Sequence, residues 1–260
     1  MLLITRPEPK ASETQQALLN AGFNSIKQAL IQIIPLNVPV FDNAFNSARE
    51  TQFKGFDLII ITSTYTLDWV KTNADSLICD TTQFLCVGKS CAEHLKAVLF
   101  KEKGMSLSDL ASRIFIASPE NSEGIIAHPC FKGLSSKRVA LIKGKGGRGE
   151  IEAALKAKKS ELSVYSVYKR VSTLNTDDTR PLSSEELASI RCIIITSVDI
   201  AKVALDYLPS AVLKRCNFIV ASQRIGEFLN AQGFTNIHVS EGASSQAIVN
   251  AATRLQDLGV

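Results

Sequence analysis

The chain has 260 residues, 45% of them hydrophobic and 21% charged, so its composition excludes extended disorder and allows one large or two small domains. No apolar run reaches the ~18 residues of a membrane helix, and Arg6 interrupts the apolar start, which predicts a cytoplasmic protein with no signal peptide and no membrane partner. The net charge of +4 is too mild to indicate nucleic-acid binding.

Short β-branched runs alternate with helical patterns along most of the chain. Strands are predicted, in chain order, at 2–5, 25–34, 57–62, 83–87, 139–143, 162–168, 191–196 and 217–221. Helices are predicted between or after them at 10–21, 64–72, 90–99, 150–158, 198–207, 224–232 and 246–255. Strands that alternate with helices predict an α/β fold with parallel sheets.

An internal repeat indicates that this pattern is present twice. Ile59-Ile-Ile-Thr-Ser63 recurs as Ile193-Ile-Ile-Thr-Ser197, and Phe84-Leu-Cys-Val87 recurs as Phe218-Ile-Val-Ala221, both 134 positions later. Two independent segments that share one offset are harder to explain by chance than either one alone.

A second pair of segments has a similar offset but the opposite order along the chain. Leu2-Leu-Ile-Thr5 resembles Ala140-Leu-Ile-Lys143, and the helical runs that follow, from Glu13 and from Glu150, start 137 positions apart. A single sheet of six or seven strands is the alternative, but the repeat favours two similar units with different element order.

Pairing each segment with its own partner predicts the domain layout. One α/β domain would be discontinuous, 1–35 plus 172–260, and the other would be 36–171. The chain would cross between them near 35–39 and again near 168–173. Prolines in the first crossing favour extended backbone, so the two crossings are expected to form a double-stranded hinge.

Hydroxyl pairs end two equivalent strands, Thr62-Ser63 and Thr196-Ser197. A hydroxyl at a helix start can cap the free backbone N–H groups, and capping alone would explain a single pair. The same position also binds anions, and ligand sites of parallel sheets lie at the carboxyl ends of strands. Two such ends facing a cleft favour one site for a large anion.

The segment Lys143-Gly-Lys-Gly-Gly-Arg-Gly149 places three cations and four glycines between a strand and a helix. Gly144, Gly146 and Gly149 fit the dinucleotide pattern G-x-G-x-x-G. No carboxylate follows at the end of the next strand, although Lys169 or Arg170 could read a 2′-phosphate, so NADP binding stays open. A flexible basic loop is the other interpretation.

Two single residues at predicted strand ends are candidate functional residues. Arg6 could form two hydrogen bonds with a carboxylate or phosphate, or it could simply stand at a helix start. Tyr168 lies at the predicted crossing, where its phenol could donate a proton, although a strand tyrosine is more often a packing residue. The three histidines are scattered and the six cysteines have no C-x-x-C spacing, so we predict reduced cysteines, no metal site and no catalytic triad.

Together these segments resemble the uroporphyrinogen-III synthase family. The matching pieces, in chain order, are Leu3-Ile-Thr-Arg-Pro7, Asn20-Ala-Gly-Phe23, Ile31-Gln-Ile-Ile-Pro-Leu36, Phe56-Asp57 with Ile61-Thr-Ser63, Val87-Gly88 with Ala92-Glu-His-Leu95, Asn121-Ser-Glu-Gly124, Lys143-Gly-Lys-Gly-Gly-Arg148, Val167-Tyr-Lys-Arg170 and Thr196-Ser197. The chain departs from the family pattern at Gly149, an extra glycine before Glu150, and at Tyr65, which is expected to narrow the cleft.

The resemblance implies two α/β lobes joined by a two-stranded linker and a cyclising hydro-lyase of porphyrin and heme biosynthesis. The implied substrate is hydroxymethylbilane, a linear tetrapyrrole with eight carboxylates. Its ring A hydroxyl leaves as water, ring D is inverted through a spiro intermediate, and closure gives uroporphyrinogen III. Such a reaction depends mainly on geometry, so no cofactor is expected.

The resemblance also implies which residues form the site. Tyr168, in the V-Y-[KR]-R pattern, is the candidate proton donor. The substrate carboxylates are expected at Arg6, Thr62, Ser63, Lys143, Gly144, Gly146, Gly147, Arg148, Thr196 and Ser197. We expect a monomer, because two lobes can enclose a site without a partner subunit. The alternatives are an NADP-dependent oxidoreductase that uses the 144–149 loop and a non-catalytic, two-lobed anion-binding protein.

Overall fold

A computed structural model describes residues 1–40, 55–147, 149–174 and 181–257. The chain divides into two compact units. Unit 1 comprises Met1–Ile33 and Val171–Val260, and unit 2 comprises Ile34–Arg170. The chain contains two sheets whose described strand pairs are parallel except one, Ile31–Pro35 with Glu161–Ser172, where Leu36 bonds to Val167 and Thr173 to Leu30 in antiparallel order, so the predicted α/β class is confirmed.

The strands and helices are numbered in chain order. The strands are β1 (Leu2–Ile4), β2 (Ser25–Lys27), β3 (Ile31–Pro35), β4 (Leu58–Ile61), β5 (Gln83–Cys86), β6 (Ile114–Ile116), β7 (Arg138–Gly144), β8 (Glu161–Ser172), β9 (Cys192–Ile195), β10 (Asn217–Val220) and β11 (Ile237–Val239). The helices are α1 (Lys10–Asn20), α2 (Leu67–Thr72), α3 (Ala74–Leu77), α4 (Lys89–Lys103), α5 (Leu107–Arg113), α6 (Ser122–Ala127), α7 (Glu150–Ala157), α8 (Ser184–Ser189), α9 (Val198–Tyr207), α10 (Ser210–Arg215), α11 (Gln223–Ala231) and α12 (Ser245–Asp257). Two 3-10 helices span Thr64–Thr66 and Pro129–Phe131.

The two sheets have the same order of equivalent strands. The sheet of unit 1 runs β11-β10-β9-β1-β2, and the other sheet runs β3-β8-β7-β4-β5-β6. Five strands of each sheet follow the same order when β11 is matched with β6, β10 with β5, β9 with β4, β1 with β7, and β2 with β8. The six-stranded sheet differs by one further strand, β3, at its edge beside β8.

The strand registers reproduce the sequence repeat. Ile59 pairs with Phe84 across β4 and β5, and Ile193 pairs with Phe218 across β9 and β10. The 134-position repeat therefore marks equivalent places in two sheets.

The registers also correct the second alignment by one residue. Leu2 pairs with Cys192, and Val139 pairs with Leu58, which stands 134 positions before Cys192. Leu2 is therefore equivalent to Val139 rather than to Ala140. The 137-position offset read from the helix starts thus holds for the strands as well.

Alternating strand residues of unit 1 contribute to two separate cores. Ile193 and Ile195 belong to one buried cluster, whereas Cys192 and Ile194 belong to another. Since successive side chains of a strand point to opposite faces, the sheet is covered on both sides. This explains why β9 and β4 are apolar at every position, with the sequences CIII and LIII.

The single strand predicted at 25–34 is wrong, because this segment forms β2 and β3 in different sheets. Between them, the amides of Gln28 and Leu30 donate to the carbonyls of Ile4 and Thr5, so the chain still follows the β1 segment before it joins the other sheet. Both unit boundaries fall inside the neighbouring strands β3 and β8.

Several short elements were not predicted. Helices α3, α5, α6, α8 and α10 have four to seven residues each, and β6 and β11 have three. Segments of this length are shorter than the window in which hydrophobic periodicity can be recognised. The helix predicted at 64–72 begins instead as a 3-10 helix and continues as α2.

Candidate functional site

The Thr62-Ser63 pair directly follows β4 in unit 2. The Thr62 amide and hydroxyl both donate to the carbonyl oxygen of Ile142, at 3.2 Å each. The Ser63 hydroxyl accepts from the amide of Tyr65 at 3.3 Å and caps the first 3-10 helix. Both side chains therefore shape the backbone at this strand end.

The equivalent Thr196-Ser197 pair directly follows β9 in unit 1. The Ser197 hydroxyl accepts from the amide of Ile200 at 3.2 Å and so caps α9, a regular helix of ten residues. Thr196 is half-buried beside it. Capping is thus common to both pairs, while the helices that the two serines begin are of different types.

Arg6 is almost completely buried at the end of β1, with 7% of its surface exposed. Its Nη1 donates to the hydroxyl oxygen of Thr14 at 3.0 Å and to the carbonyl oxygen of Ala243 at 2.9 Å. The neighbouring Thr5 hydroxyl donates to the carbonyl oxygen of Ile194 at 2.5 Å. The guanidinium thereby connects β1, α1 and the loop before α12.

The glycine segment begins with Lys143, which is already paired. Its Nζ lies 2.6 Å from Oε1 of Glu152 on α7, and the two side chains are 15% and 28% exposed. Gly146 and Gly147 follow with φ values of 82° and 83°, a backbone region that favours glycine. Arg148, a predicted binding residue, lies outside the described residues.

The extra glycine does not delay the helix that follows. Helix α7 begins at Glu150, and Gly149 precedes it as its N-terminal boundary residue with a φ of −83°. Among the described residues, and apart from its chain neighbours and the backbone of its own helix, no heavy atom lies within 4 Å of the Cβ position at Gly149. The inserted residue therefore lies in open space at the helix start.

Tyr168 lies opposite Gly144, immediately after a register shift between β7 and β8. A Cβ added to Gly144 would lie 2.5 Å from Cζ of the Tyr168 ring, so only glycine allows this approach. The edge of the Tyr65 ring also packs against Tyr168, with centroids 5.8 Å apart. The described structure thus brings together Gly144 and Tyr168, and it places Tyr65 against the proposed proton donor.

The phenol of Tyr168 is held by Arg170, which the sequence indicated only as a possible reader of a 2′-phosphate. Nη2 of Arg170 donates to the Tyr168 oxygen at 2.9 Å, and the guanidinium carbon lies 5.2 Å from the ring centroid. Tyr168 is 1% exposed, whereas Arg170 is exposed. Their spacing of two residues on one strand could have indicated this contact, because such residues share a face.

Tyr165, three residues earlier on β8, has a different environment. Its hydroxyl donates to the carbonyl oxygen of Val40, and its ring packs against Trp69 and Phe56 with centroids at 5.0 and 6.1 Å. Burial raises the pKa of the Tyr165 phenol. Tyr165 is therefore a packing residue with a fully used hydroxyl.

A carboxylate of the protein itself occupies one helix start in unit 2. Oε1 of Glu120, in the loop after β6, accepts from the amide of Lys89 at 3.0 Å. Lys89 is the first residue of α4, whose 15 residues make it the longest described helix. The contact shows that an anion is accommodated where α4 begins, after the carboxyl end of β5.

Neither a metal-binding cluster nor a membrane-spanning helix is present in the described parts of the chain. Within them, no group of three or more His, Cys, Asp or Glu side chains is placed to hold a metal ion. No described helix has both the length and the apolar character needed to cross a bilayer. All six cysteines are free thiols, and four of them are buried.

Comparison with known proteins gives a consistent result along nearly the whole chain. The family model described as uroporphyrinogen-III synthase HemD matches residues 12–250. A uroporphyrinogen-III synthase of Escherichia coli K12 is 20% identical over 258 residues, which cover 96% of this chain and 98% of that protein. A second, from Salmonella typhimurium LT2, is 24% identical over 136 residues, or 51% of this chain and 55% of that protein.

Solved structures share the fold described above. The uroporphyrinogen-III synthetase of Helicobacter pylori 26695 superposes with a TM-score of 0.55 at 13% identity, and 98% of each chain is covered. A mutant uroporphyrinogen III synthase of Thermus thermophilus gives a TM-score of 0.56 at 15% identity, again with 98% of each chain covered.

Proposed function

The chain belongs to the uroporphyrinogen-III synthase family, and we propose that it converts hydroxymethylbilane to uroporphyrinogen III with polar groups at the carboxyl ends of its two sheets. The activity is that of a cyclising lyase in tetrapyrrole biosynthesis. The observation that carries this conclusion is the family match over residues 12–250, which covers all of unit 2 and most of unit 1.

The overall reaction needs neither an oxidant nor a reductant, since one C–C bond forms and one water leaves. The enzyme must favour attack by the substituted α-carbon of ring D over direct closure, which would give the uninverted isomer. Holding the two ends of a linear tetrapyrrole in one geometry is therefore the main catalytic task. Hydroxyls, backbone amides and a few cations suit a substrate with eight carboxylates.

We place the carboxylate contacts on both units. In unit 1 they are Arg6, Thr196 and Ser197, and in unit 2 they are Thr62, Ser63, Lys143, Gly144, Gly146, Gly147 and Arg148. The Glu120 carboxylate at the start of α4 supports this assignment, because a helix start that follows the carboxyl end of β5 holds a carboxylate. Cations and helix starts at strand ends provide the electrostatic attraction.

Tyr168 is the proposed proton donor to the departing ring A hydroxyl. A phenol can donate a proton or a strong hydrogen bond to a leaving oxygen, and general-acid assistance is worth roughly 10²–10⁴ in rate. The packing of Tyr168 against Gly144 supports the assignment, because a fixed ring is what a positioned acid requires.

The same contact disfavours the NADP-dependent alternative. Gly144 is the first glycine of the G-x-G-x-x-G match, and the Tyr168 ring already occupies the space beside its Cα. A dinucleotide fingerprint needs its glycines for close approach to the cofactor. The non-catalytic alternative is separated from the synthase by product analysis alone.

We also propose that the enzyme acts as a monomer in the cytoplasm. Six free thiols suit a reducing compartment, and two sheets on one chain supply both groups of contacts. Sedimentation velocity checks the monomer, which a concentration-dependent dimer would contradict.

The test is turnover of hydroxymethylbilane, with the product isomers separated and compared with spontaneous closure. Wild-type protein is expected to give uroporphyrinogen III. Tyr168→Phe is expected to lower kcat by about 10²-fold, the lower part of the general-acid range, with little change in KM.

Tyr165→Phe is the matched control, because it removes a phenol from the same strand and is expected to leave turnover unchanged. Equal kcat for Tyr168→Phe and wild type would remove Tyr168 from the mechanism. Formation of the uninverted isomer alone by wild-type protein would overturn the proposed function.

A further inference from the structure

Arg170 is the exposed member of the described contacts around the Tyr168 phenol. The other two are Gly144, which is buried, and Tyr65, which is half-buried. A backbone glycine cannot move aside without disturbing β7, whereas a long exposed side chain can. Of these three contacts, the guanidinium is therefore the one most easily moved to give a ligand access to the 1% exposed phenol.

The hydrogen bond between the two residues has a fixed direction. A guanidinium has only donors, so the Tyr168 oxygen must accept from Nη2 at 2.9 Å. The phenolic hydrogen must then point away from Arg170. Arg170 thus orients the one proton that Tyr168 could give to a leaving group.

The guanidinium also has a stronger potential partner than the phenol. Charge-assisted bonds between arginine and a carboxylate are roughly twice as strong as bonds between neutral groups, and they are often bidentate. A ligand rich in carboxylates would therefore draw the guanidinium off the ring face, where its carbon lies 5.2 Å from the centroid, while one of its five N–H donors still reaches the phenol oxygen. The phenol would be uncovered only when such a ligand is present.

We infer that Arg170 is a positioning residue that links binding of a substrate carboxylate to exposure and orientation of the Tyr168 hydroxyl. This inference rests on the proposed function, because it assigns the carboxylate to the tetrapyrrole and the acid to Tyr168. Arg170 itself transfers no proton. It acts through Tyr168 on kcat and through its own charge on KM.

A double-mutant cycle on kcat tests the inference. Arg170→Met is expected to lower kcat about tenfold when Tyr168 is present, and less than about twofold in the Tyr168→Phe background, where no hydroxyl remains to orient. KM is expected to rise about tenfold in both backgrounds, because the lost carboxylate contact does not depend on the phenol.

Two further variants separate charge from geometry. Arg170→Lys should keep KM within about threefold of wild type but restore kcat only in part, because lysine lacks the planar, forked donor set. Lys169→Met removes the exposed cation next to Arg170 on the same strand and should change kcat and KM by less than about twofold.

A spectroscopic readout is independent of turnover. Protein labelled with 3-fluorotyrosine, with position 168 assigned through Tyr168→Phe, is titrated with uroporphyrin III, which carries eight carboxylates and cannot react further. The ¹⁹F resonance of residue 168 should shift in wild type and remain in place in Arg170→Met.

Additive kcat effects, or equal ¹⁹F shifts in wild type and Arg170→Met, would overturn the role of Arg170 while leaving the synthase assignment intact. A wild-type kcat retained in Tyr168→Phe would also overturn it. Absence of uroporphyrinogen III with wild-type protein would instead overturn the proposed function, so the two failures are distinguishable.

Discussion

The two units share a frame, the five equivalent strands of their sheets, and differ at the carboxyl ends of those strands. Five strands follow the same order in both sheets, and equivalent pairs keep the same register, such as Ile59 with Phe84 and Ile193 with Phe218. The core positions of a parallel sheet are constrained on both faces, so a repeated frame leaves little freedom there. Differences are therefore concentrated at the carboxyl ends of the strands.

The cations at these ends illustrate the difference. The registers make Arg6 at the end of β1 equivalent to Lys143 near the end of β7. Arg6 donates to a hydroxyl and a carbonyl within unit 1, whereas Lys143 forms an ion pair with Glu152 within unit 2. The two equivalent positions thus both carry a cation, but the partners of Arg6 are neutral and the partner of Lys143 is a carboxylate.

The phenol is a feature of unit 2, where the register shift brings Tyr168 over Gly144. We infer from the comparison that unit 1 mainly binds the substrate and that unit 2 both binds it and supplies the acid. The following predictions test this division of labour, beginning with the largest expected effect.

Gly144→Ala is expected to lower kcat by about 10²-fold, as large an effect as loss of the Tyr168 hydroxyl itself. Its Cβ would lie 2.5 Å from the ring carbon Cζ, so the ring must leave its present position. Overpacking of this kind typically costs about 1–3 kcal/mol, which should also lower Tm. Steady-state kinetics with hydroxymethylbilane and a thermal melt measure both effects.

Gly149→Ala is the matched control in the same segment. Its φ of −83° suits alanine, and in the described part of the chain no heavy atom beyond the adjoining residues and helix backbone lies within 4 Å of the new Cβ. Turnover should equal that of wild type. If Gly144→Ala also turned over normally, a fixed Tyr168 ring would not be needed, and the contrast between the two units would lose its catalytic meaning.

Arg6→Ala tests binding by unit 1. Loss of a charge-assisted contact worth about 1.5–3 kcal/mol should raise KM tenfold to a hundredfold, with a smaller effect on kcat. The same change also breaks the bonds to Thr14 and Ala243, so stability will fall as well.

Thr14→Val separates the effect on substrate binding from the effect on stability. It removes the hydroxyl that accepts from Arg6 but leaves the cation in place. We expect KM within about threefold of wild type, since the variant keeps the guanidinium charge that would attract the substrate carboxylate. A KM that rises equally in both variants would mean that Arg6 acts by holding α1 and the loop before α12, and would leave unit 1 without its proposed contact.

The frame could be predicted from the sequence because its signal is repeated. Ile59–Ile61 and Ile193–Ile195 are apolar runs bounded by Thr-Ser pairs, and their common offset by itself indicates equivalent strands. The break between β2 and β3 could not be predicted, because the chain between them is held by backbone bonds from Gln28 and Leu30 to Ile4 and Thr5. Such bonds carry little side-chain signature.

The site was only partly predictable for a similar reason. The predicted strand ends indicate Tyr168 and Gly144 separately. Their contact arises from a register shift, which the hydrophobic pattern does not show. The burial of Arg6 depends on Ala243, which is 237 residues away along the chain. Partners at that distance are brought together by the fold and not by local sequence.

Glu152→Gln tests the smallest difference between the units, the charge of the partner of Lys143. The Nζ to Oε1 distance is 2.6 Å, so the carboxylate offsets much of the attraction that Lys143 could exert on an anion. Removing one negative charge should lower KM by about twofold to fivefold with kcat unchanged, because a partly exposed pair is worth up to about 1 kcal/mol.

Lys143→Met should act in the opposite direction and raise KM. Steady-state kinetics at low ionic strength, where such effects are least screened, measure both changes. A KM that fails to fall in Glu152→Gln would show that Lys143 does not face the substrate, and the cation of unit 2 would then be structural while its equivalent in unit 1 binds.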